Sequence, residues 1–129
     1  MDRSDRDDLL DALADLQHDL GKYIAMPLRM LPVEADEAAV RDALERALRR
    51  TRSGREGVQS ARDLWTAFVA EIPAGLPALA DLEAAVARAL AWDTALDDGA
   101  AIDRARLEAD FEAVGAAARA AIGRLRDGD

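Results

Sequence analysis

The sequence predicts an all-α protein, an antiparallel up-down bundle of four to five helices. Five segments repeat apolar residues every three or four positions, and none alternates apolar and polar residues as a half-buried strand does. The segments between them are short, and short connections favour antiparallel neighbours in a bundle. The 129 residues, half of them apolar, suffice for one domain with its own core. We expect a single domain over residues 1–126 and a frayed tail over 127–129.

The first two helices are predicted from their apolar positions and their boundaries. Apolar residues of the first helix recur with spacings of 4, 3, 4 and 4. Pro27 lacks a backbone donor and should end or kink this helix near Ala25. Asp36 is placed to cap a second helix that reaches about Arg50. The apolar stripe of the first helix comprises Leu9, Leu13, Leu16, Leu20 and Ile24.

Three further helices follow. The segment "TRSGREG" at 51–57 is predicted to be a loop from its Gly and Ser content. A third helix is expected over about 56–72, and a fourth from about Pro77 to Leu96, closed by Gly99. The fifth helix starts near Asp103. Large side chains at helical spacing are expected in the core, namely Trp65, Phe68, Trp92 and Phe111.

Composition argues against several kinds of chemistry. Without cysteine there is neither a disulfide nor a thiolate ligand or nucleophile. With one histidine, a zinc site would need carboxylates, so we expect no metal and no cofactor. A net charge of -9 argues against nucleic acid and anionic lipid as the main partner. No apolar run approaches a membrane span and no signal-peptide pattern is present. We therefore expect a cytoplasmic protein with a protein partner, and a homodimer is an open alternative.

His18, the only histidine, lies opposite the apolar stripe of the first helix. Its neighbours one turn away are Ala14, Gly21, Lys22 and Ala25. Three of these are small and leave room for a large group, and Lys22 places a cation beside the ring. Gly21 costs about 1 kcal/mol relative to alanine in a helix interior, which close approach of another protein would offset. The alternatives are a solvated helix-surface residue, or a helix packed across the three small residues.

The stretch "HDLGK" resembles the phosphoacceptor helix of two-component signalling proteins. In the dimerisation helices of histidine kinases an acidic and then an apolar residue follow the histidine, and His18-Asp19-Leu20 matches that order. In histidine phosphotransfer domains, which are four-helix bundles, a lysine and a glycine follow soon afterwards. Gly21 and Lys22 are present here in the reverse order. The resemblance covers about ten of the 129 residues.

This resemblance implies a site and a partner. His18 would accept a phosphoryl group, Asp19 would orient the ring or accept its other proton, and Lys22 would offset the phosphoryl charge. The partner would be a kinase or a response regulator. Asp11 and Asp15 lie near the same face and would repel a phosphoryl group, although solvent screens exposed charges.

The same stretch is similar to the "HD…GK…P" segment of HD-domain phosphohydrolases, in which adjacent His and Asp residues bind a metal. Those enzymes need further ligands, including a histidine upstream of the pair. The chain has no other histidine. We therefore do not expect a metal-dependent hydrolase, and a relative that keeps the helix without the metal is an open alternative.

A basic segment from 46 to 62 carries six arginines and one acidic residue. Arginines at the end of the second helix complement its dipole. The segment also suits docking of an acidic partner or, at the start of the next helix, an anion. "GREG" at 54–57 resembles the GxxG loop of RNA-binding KH domains. The alternative to a phosphotransfer module is a non-catalytic adaptor or assembly subunit with no chemistry at His18. The candidate partner-binding arginines are Arg49, Arg50, Arg52 and Arg55.

Overall fold

The computed structural model describes residues 3–67 and 77–127, with side chains over 3–63 and 79–127. Within these ranges every regular element is helical, which confirms the predicted all-α bundle. None of these helices is both long and apolar enough to cross a bilayer. The elements are α1 (Arg3–Leu16), a π-helical turn π1 (Gln17–Lys22), α2 (Ala25–Arg29), α3 (Glu37–Glu45), a second π-helical turn π2 (Arg46–Arg50), α4 (Arg52–Ala67), α5 (Pro77–Asp98) and α6 (Arg104–Arg126).

Capping residues set several helix boundaries as the sequence predicts. The Asp36 carboxylate accepts a hydrogen bond from the Ala39 N–H at 2.9 Å and starts α3. Asp103 accepts from two backbone N–H groups in the first turn of α6. Such caps contribute about 1 kcal/mol each. Gly99, just after α5, has a φ of 68°, a left-handed conformation that favours glycine.

Pro27 lies at the break between the first helix and α2. Tyr23 and Ile24 form a turn directly after π1, with φ and ψ still in the right-handed helical region, and α2 begins at Ala25. Pro27 is therefore in the first turn of α2, where a backbone N–H would have no intrahelical partner in any case. The predicted interruption near Ala25 is confirmed.

The predicted loop over residues 51–57 is wrong. α4 begins at Arg52, and the connection from π2 is the single extended residue Thr51. The Thr51 hydroxyl accepts a hydrogen bond from the Gly54 N–H at 3.1 Å and donates to the Ala47 carbonyl at 2.7 Å. A Cβ added to Gly54 would overlap that carbonyl oxygen and lie 2.8 Å from the carbonyl carbon. Glycine at 54 thus permits close backbone approach and does not mark a loop.

The predicted apolar stripe of the first helix forms part of one core shared by all the helices. Each of its five residues is at most 1 % exposed. Phe111 is fully buried, as predicted. Trp92 is partly buried, and its indole N–H donates to the Asp110 carboxylate at 2.7 Å. The Trp65 side chain, Phe68 and the predicted helix end near 72 lie outside the described residues.

Arg104 ties α6 to the C-terminal end of α2, a contact that the sequence did not predict. Its guanidinium donates to the carbonyls of Leu28 at 3.1 Å, Leu31 at 2.6 Å and Pro32 at 2.5 Å. It also forms an ion pair with Glu108 at 3.2 Å. The Leu28 and Pro32 carbonyls also accept backbone N–H groups of Leu31 and Ala35, so Arg104 adds a charged donor to the last turn of α2 and the turn that follows it.

Replacing Arg104 with methionine is expected to lower the free energy of unfolding by about 1–2 kcal/mol, because the carbonyls of Leu28, Leu31 and Pro32 lose a charged donor. Arg106→Met is the matched control on the same turn of α6. The Arg106 side chain is exposed and forms no ion pair in the described part of the chain. We expect a change within about 0.5 kcal/mol there. Urea denaturation followed by circular dichroism measures both values, and equal losses would contradict the assignment.

Candidate functional site

His18 lies in π1, where the backbone is wider than in an α-helix. The Tyr23 N–H donates to the His18 carbonyl, five residues earlier, at 3.1 Å. Turns of this kind are frequent at functional sites. The His18 side chain is 57 % exposed. The position opposite the apolar stripe therefore predicted its exposure correctly.

Two neighbours fix the orientation of the imidazole. Nδ1 of His18 lies 3.1 Å from Oδ1 of Asp19, whose side chain is only 17 % exposed. The Tyr23 ring and the imidazole pack in a T-shaped arrangement, with centroids 4.5 Å apart and planes at 68°. An ionised carboxylate only accepts hydrogen bonds, so in the neutral ring this contact places the proton on Nδ1. Nε2 has no hydrogen-bond partner among the described residues.

His18 lines an open groove of about 710 Å³. One wall of the groove is α6, and the other consists of residues from α1, π1 and α2. Its walls combine small residues with three cationic side chains and one carboxylate. Arg29 and Glu112 form an ion pair at 3.4 Å. Lys22 and Arg119 form no ion pair in the described ranges, so the groove carries net positive charge on an acidic chain. The lining residues are Ala14, Gln17, His18, Gly21, Lys22, Arg29, Glu112, Gly115, Ala116 and Arg119.

The two carboxylates predicted to oppose a phosphoryl group lie outside this groove. Asp11 and Asp15 are exposed on α1 and are not among the lining residues. The carboxylate that does line the groove, Glu112, is neutralised by Arg29. The local charge at His18 is therefore more favourable to an anion than the sequence suggested.

Two of the small neighbours of His18 are interior residues. A Cβ added to Gly21 would lie 2.8 Å from Cα of Gly115 on α6. Ala25 is 1 % exposed. The packing of a helix across these positions, one of the alternatives drawn from the sequence, accounts for both residues. A partner would reach the groove beside the exposed Ala14, and Ala25 is not accessible to it.

Arg49, predicted to contact a partner, connects π2 to α5. Its guanidinium donates to the carboxylates of Asp93 at 2.7 Å and Asp97 at 3.0 Å. The hydrogen bond to Asp93, and after it that to Asp97, raises the pKa of Arg49 above its ordinary value despite desolvation. The guanidinium therefore stays charged at any neutral pH, and Arg49 has a structural partner within the chain.

Two of the other three candidate arginines also have ion-pair partners within the chain. Arg50 pairs with Glu45 at 3.3 Å, and Arg52 with Glu56 at 2.8 Å. Arg55 is exposed and forms no ion pair within residues 3–67 and 77–127. None of them lines the groove. "GREG" lies inside α4 and not between helices, so the resemblance to a KH loop is wrong.

Sequence reasoning missed the α6 wall of the groove. Glu112, Gly115 and Arg119 come from α6, nearly a hundred residues after His18. The available signal was Gly115, because a glycine inside a helix lowers stability unless close packing requires it. Over 3–67 and 77–127, no three acidic or histidine side chains cluster closely enough to hold a metal ion.

Comparisons with known proteins assign no function to this groove. The resemblance of the His18 segment to phosphoacceptor helices covers a short stretch, and the groove adds contacts from a distant helix. No family model, no curated protein and no solved structure matches the chain.

Proposed function

We propose that the chain is a cytoplasmic signalling module of the histidine phosphotransfer type. In this proposal Nε2 of His18 accepts a phosphoryl group from a partner kinase or response regulator. One observation carries the proposal. The exposed imidazole is held through Nδ1 by Asp19, while Nε2 is unpartnered and the ring lines a groove of net positive charge.

The chemistry follows from the orientation of the ring. The Nε2 lone pair attacks the phosphorus of a phosphorylated partner residue, and the bond from phosphorus to that residue breaks, its electron pair leaving with the partner. The ring then carries a positive charge, with the proton still on Nδ1. Asp19, at 3.1 Å, stabilises this charge through a charge-assisted hydrogen bond. Transfer to a second partner reverses these steps.

The cations of the groove favour the incoming group. A phosphoryl group carries about -1.5 to -2 charge at pH 7. Lys22 and Arg119 form no ion pairs in the described part of the chain, so their charges are available to it. The nearby Asp11 and Asp15 are exposed to solvent, where salt screens charges over about 8–10 Å.

Incubation with radiolabelled, phosphorylated receiver domains and kinases of the encoding organism tests the proposal. We expect acid-labile, base-stable label on the wild-type chain and none on His18→Ala. Lys22→Gln should slow labelling. Arg106→Gln, which removes one exposed cation outside the groove, is the matched control and should label at the wild-type rate. Absence of label with every donor, or label that persists in His18→Ala, would overturn the proposal.

A second candidate function is supported by a separate observation. Four large apolar side chains are exposed in and beside α2: Tyr23 by 46 %, Met26 by 40 %, Met30 by 77 % and Val33 by 94 %. Exposed apolar patches mark protein interfaces, and these four side chains all come from residues 23–33. They favour a non-catalytic assembly subunit in which two copies of the chain meet at this surface.

Light scattering tests the assembly candidate. We expect a dimer for the wild-type chain and a monomer for the double variant Met30→Asp, Val33→Asp. The control variant is Ala38→Asp, an exposed position on α3 outside this apolar surface, which should remain dimeric. A wild-type chain that stays monomeric at high concentration would exclude assembly through this surface.

A further inference from the structure

The His18–Asp19 pair lies on a backbone that two other helices approach closely. On one side, α4 places Gly57 against Asp19 and Leu20. A Cβ added to Gly57 would lie 3.1 Å from both the carbonyl carbon and Cβ of Asp19, and 3.2 Å from the Leu20 nitrogen. On the other side, Gly21 meets Gly115 of α6. π1 is therefore held between α4 and α6.

Gly57 acts on the residue that orients the imidazole. A Cβ at 57 would meet the Asp19 backbone and Cβ, and the Asp19 carboxylate is the group that lies against Nδ1 of His18. Separations of 3.1–3.2 Å are tighter than ordinary carbon contacts, so a methyl group at 57 must displace Asp19 by a few tenths of an ångström. Hydrogen bonds weaken quickly with such shifts in distance and angle.

We propose that Gly57 is a positioning residue for His18. By allowing α4 to lie against Asp19, it fixes the carboxylate on Nδ1 and so makes Nε2 the nucleophilic nitrogen of the neutral ring. The tautomer of a histidine is set by the hydrogen bond that its other nitrogen makes. The consequence for phosphoryl transfer rests on the proposed function, but control of the tautomer does not.

The single histidine makes the test direct, because the imidazole gives one set of nitrogen resonances in NMR of the full chain. We expect the neutral wild-type ring to carry its proton on Nδ1. In Gly57→Ala the population with the proton on Nε2 should rise several-fold. If the proposed function holds, labelling by a phosphorylated receiver should fall about tenfold or more, as misplacement of a reacting group predicts.

Gly123→Ala is the matched control, because a Cβ at 123 would meet nothing within 4 Å. It should leave both the tautomer and the labelling rate unchanged. Asp19→Ala removes the carboxylate without altering the α4 contact, and should shift the tautomer in the same direction even if Gly57→Ala fails to fold. A wild-type ring protonated on Nε2 would overturn the inference. So would an unchanged tautomer in Asp19→Ala or in folded Gly57→Ala.

The two proposals fail in distinguishable ways. If no donor labels the chain but Gly57→Ala shifts the tautomer, the phosphotransfer function is wrong and the positioning role stands. If His18 is labelled and the tautomer does not respond to Gly57→Ala, the positioning role is wrong and the function stands.

Discussion

Replacing Gly54 with alanine is expected to lower the free energy of unfolding by about 3 kcal/mol or more. The new methyl group would overlap the carbonyl oxygen of Ala47, a backbone atom that cannot rotate away. α4 must then move off π2, which breaks the hydrogen bonds that Thr51 makes to both elements. The cost exceeds the about 1–3 kcal/mol typical of overpacking, because the obstacle is backbone and not a side chain.

Urea denaturation measures this loss, with Gly123→Ala as the control. Nothing lies within 4 Å of a Cβ at 123, on the exposed side of α6. Alanine there gains helix propensity and should stabilise the chain by about 0.5–1 kcal/mol. The two substitutions are chemically identical and should have opposite signs. A Gly54→Ala variant with the wild-type denaturation midpoint would show that α4 does not pack on π2 as described.

Replacing Gly21 with alanine should cost about 2 kcal/mol. A Cβ at 21 would lie 2.8 Å from Cα and 2.9 Å from the nitrogen of Gly115, so π1 and α6 must separate. Separation opens the core contacts that both elements make and outweighs the about 1 kcal/mol gained in helix propensity. The groove beside His18 should widen at the same time.

Gly115→Ala, on the α6 side of the same contact, is the control. A Cβ at Gly115 would lie 3.8 Å from Cα of Gly21, an ordinary van der Waals distance. Gly115→Ala should therefore be neutral or slightly stabilising. Urea denaturation of the two variants tests whether the two helices are in contact. It also tests whether there is less space for a methyl group at 21 than at 115. Similar losses in Gly21→Ala and Gly115→Ala would contradict this packing.

The helices were predictable because their apolar periodicity and their caps are local signals. Asp36 and Asp103 start helices through hydrogen bonds to backbone groups within three residues of themselves, and Gly99 ends one through its own φ. The prediction of a loop at 51–57 was wrong because glycine is found both in turns and at close contacts between helices. Gly54 and Gly57 supply close approach between helices, whereas local sequence reads them as turn residues.

The site was half predictable for a related reason. The exposure of His18 follows from its own helix, and its contact with Asp19 from sequence adjacency. The α6 wall, with Arg119 and Gly115, depends on which helix covers which, and periodicity gives the buried face of a helix but not its partner. The ion pairs of Arg49 were not predictable for the same reason, since its partners Asp93 and Asp97 lie on α5, remote in sequence.

The two π-helical turns coincide with an unusual spacing of the buried residues in the sequence. Leu16, Leu20 and Ile24 are separated by consecutive intervals of four, and so are Val40, Leu44 and Leu48. On a regular α-helix two such intervals overshoot by about 80°, which moves the last side chain toward the edge of the buried stripe. All six are at most 2 % exposed, because a turn that holds an extra residue cancels this angular drift. In these two segments the paired four-residue intervals coincide with a widened turn, and in π1 that turn contains His18.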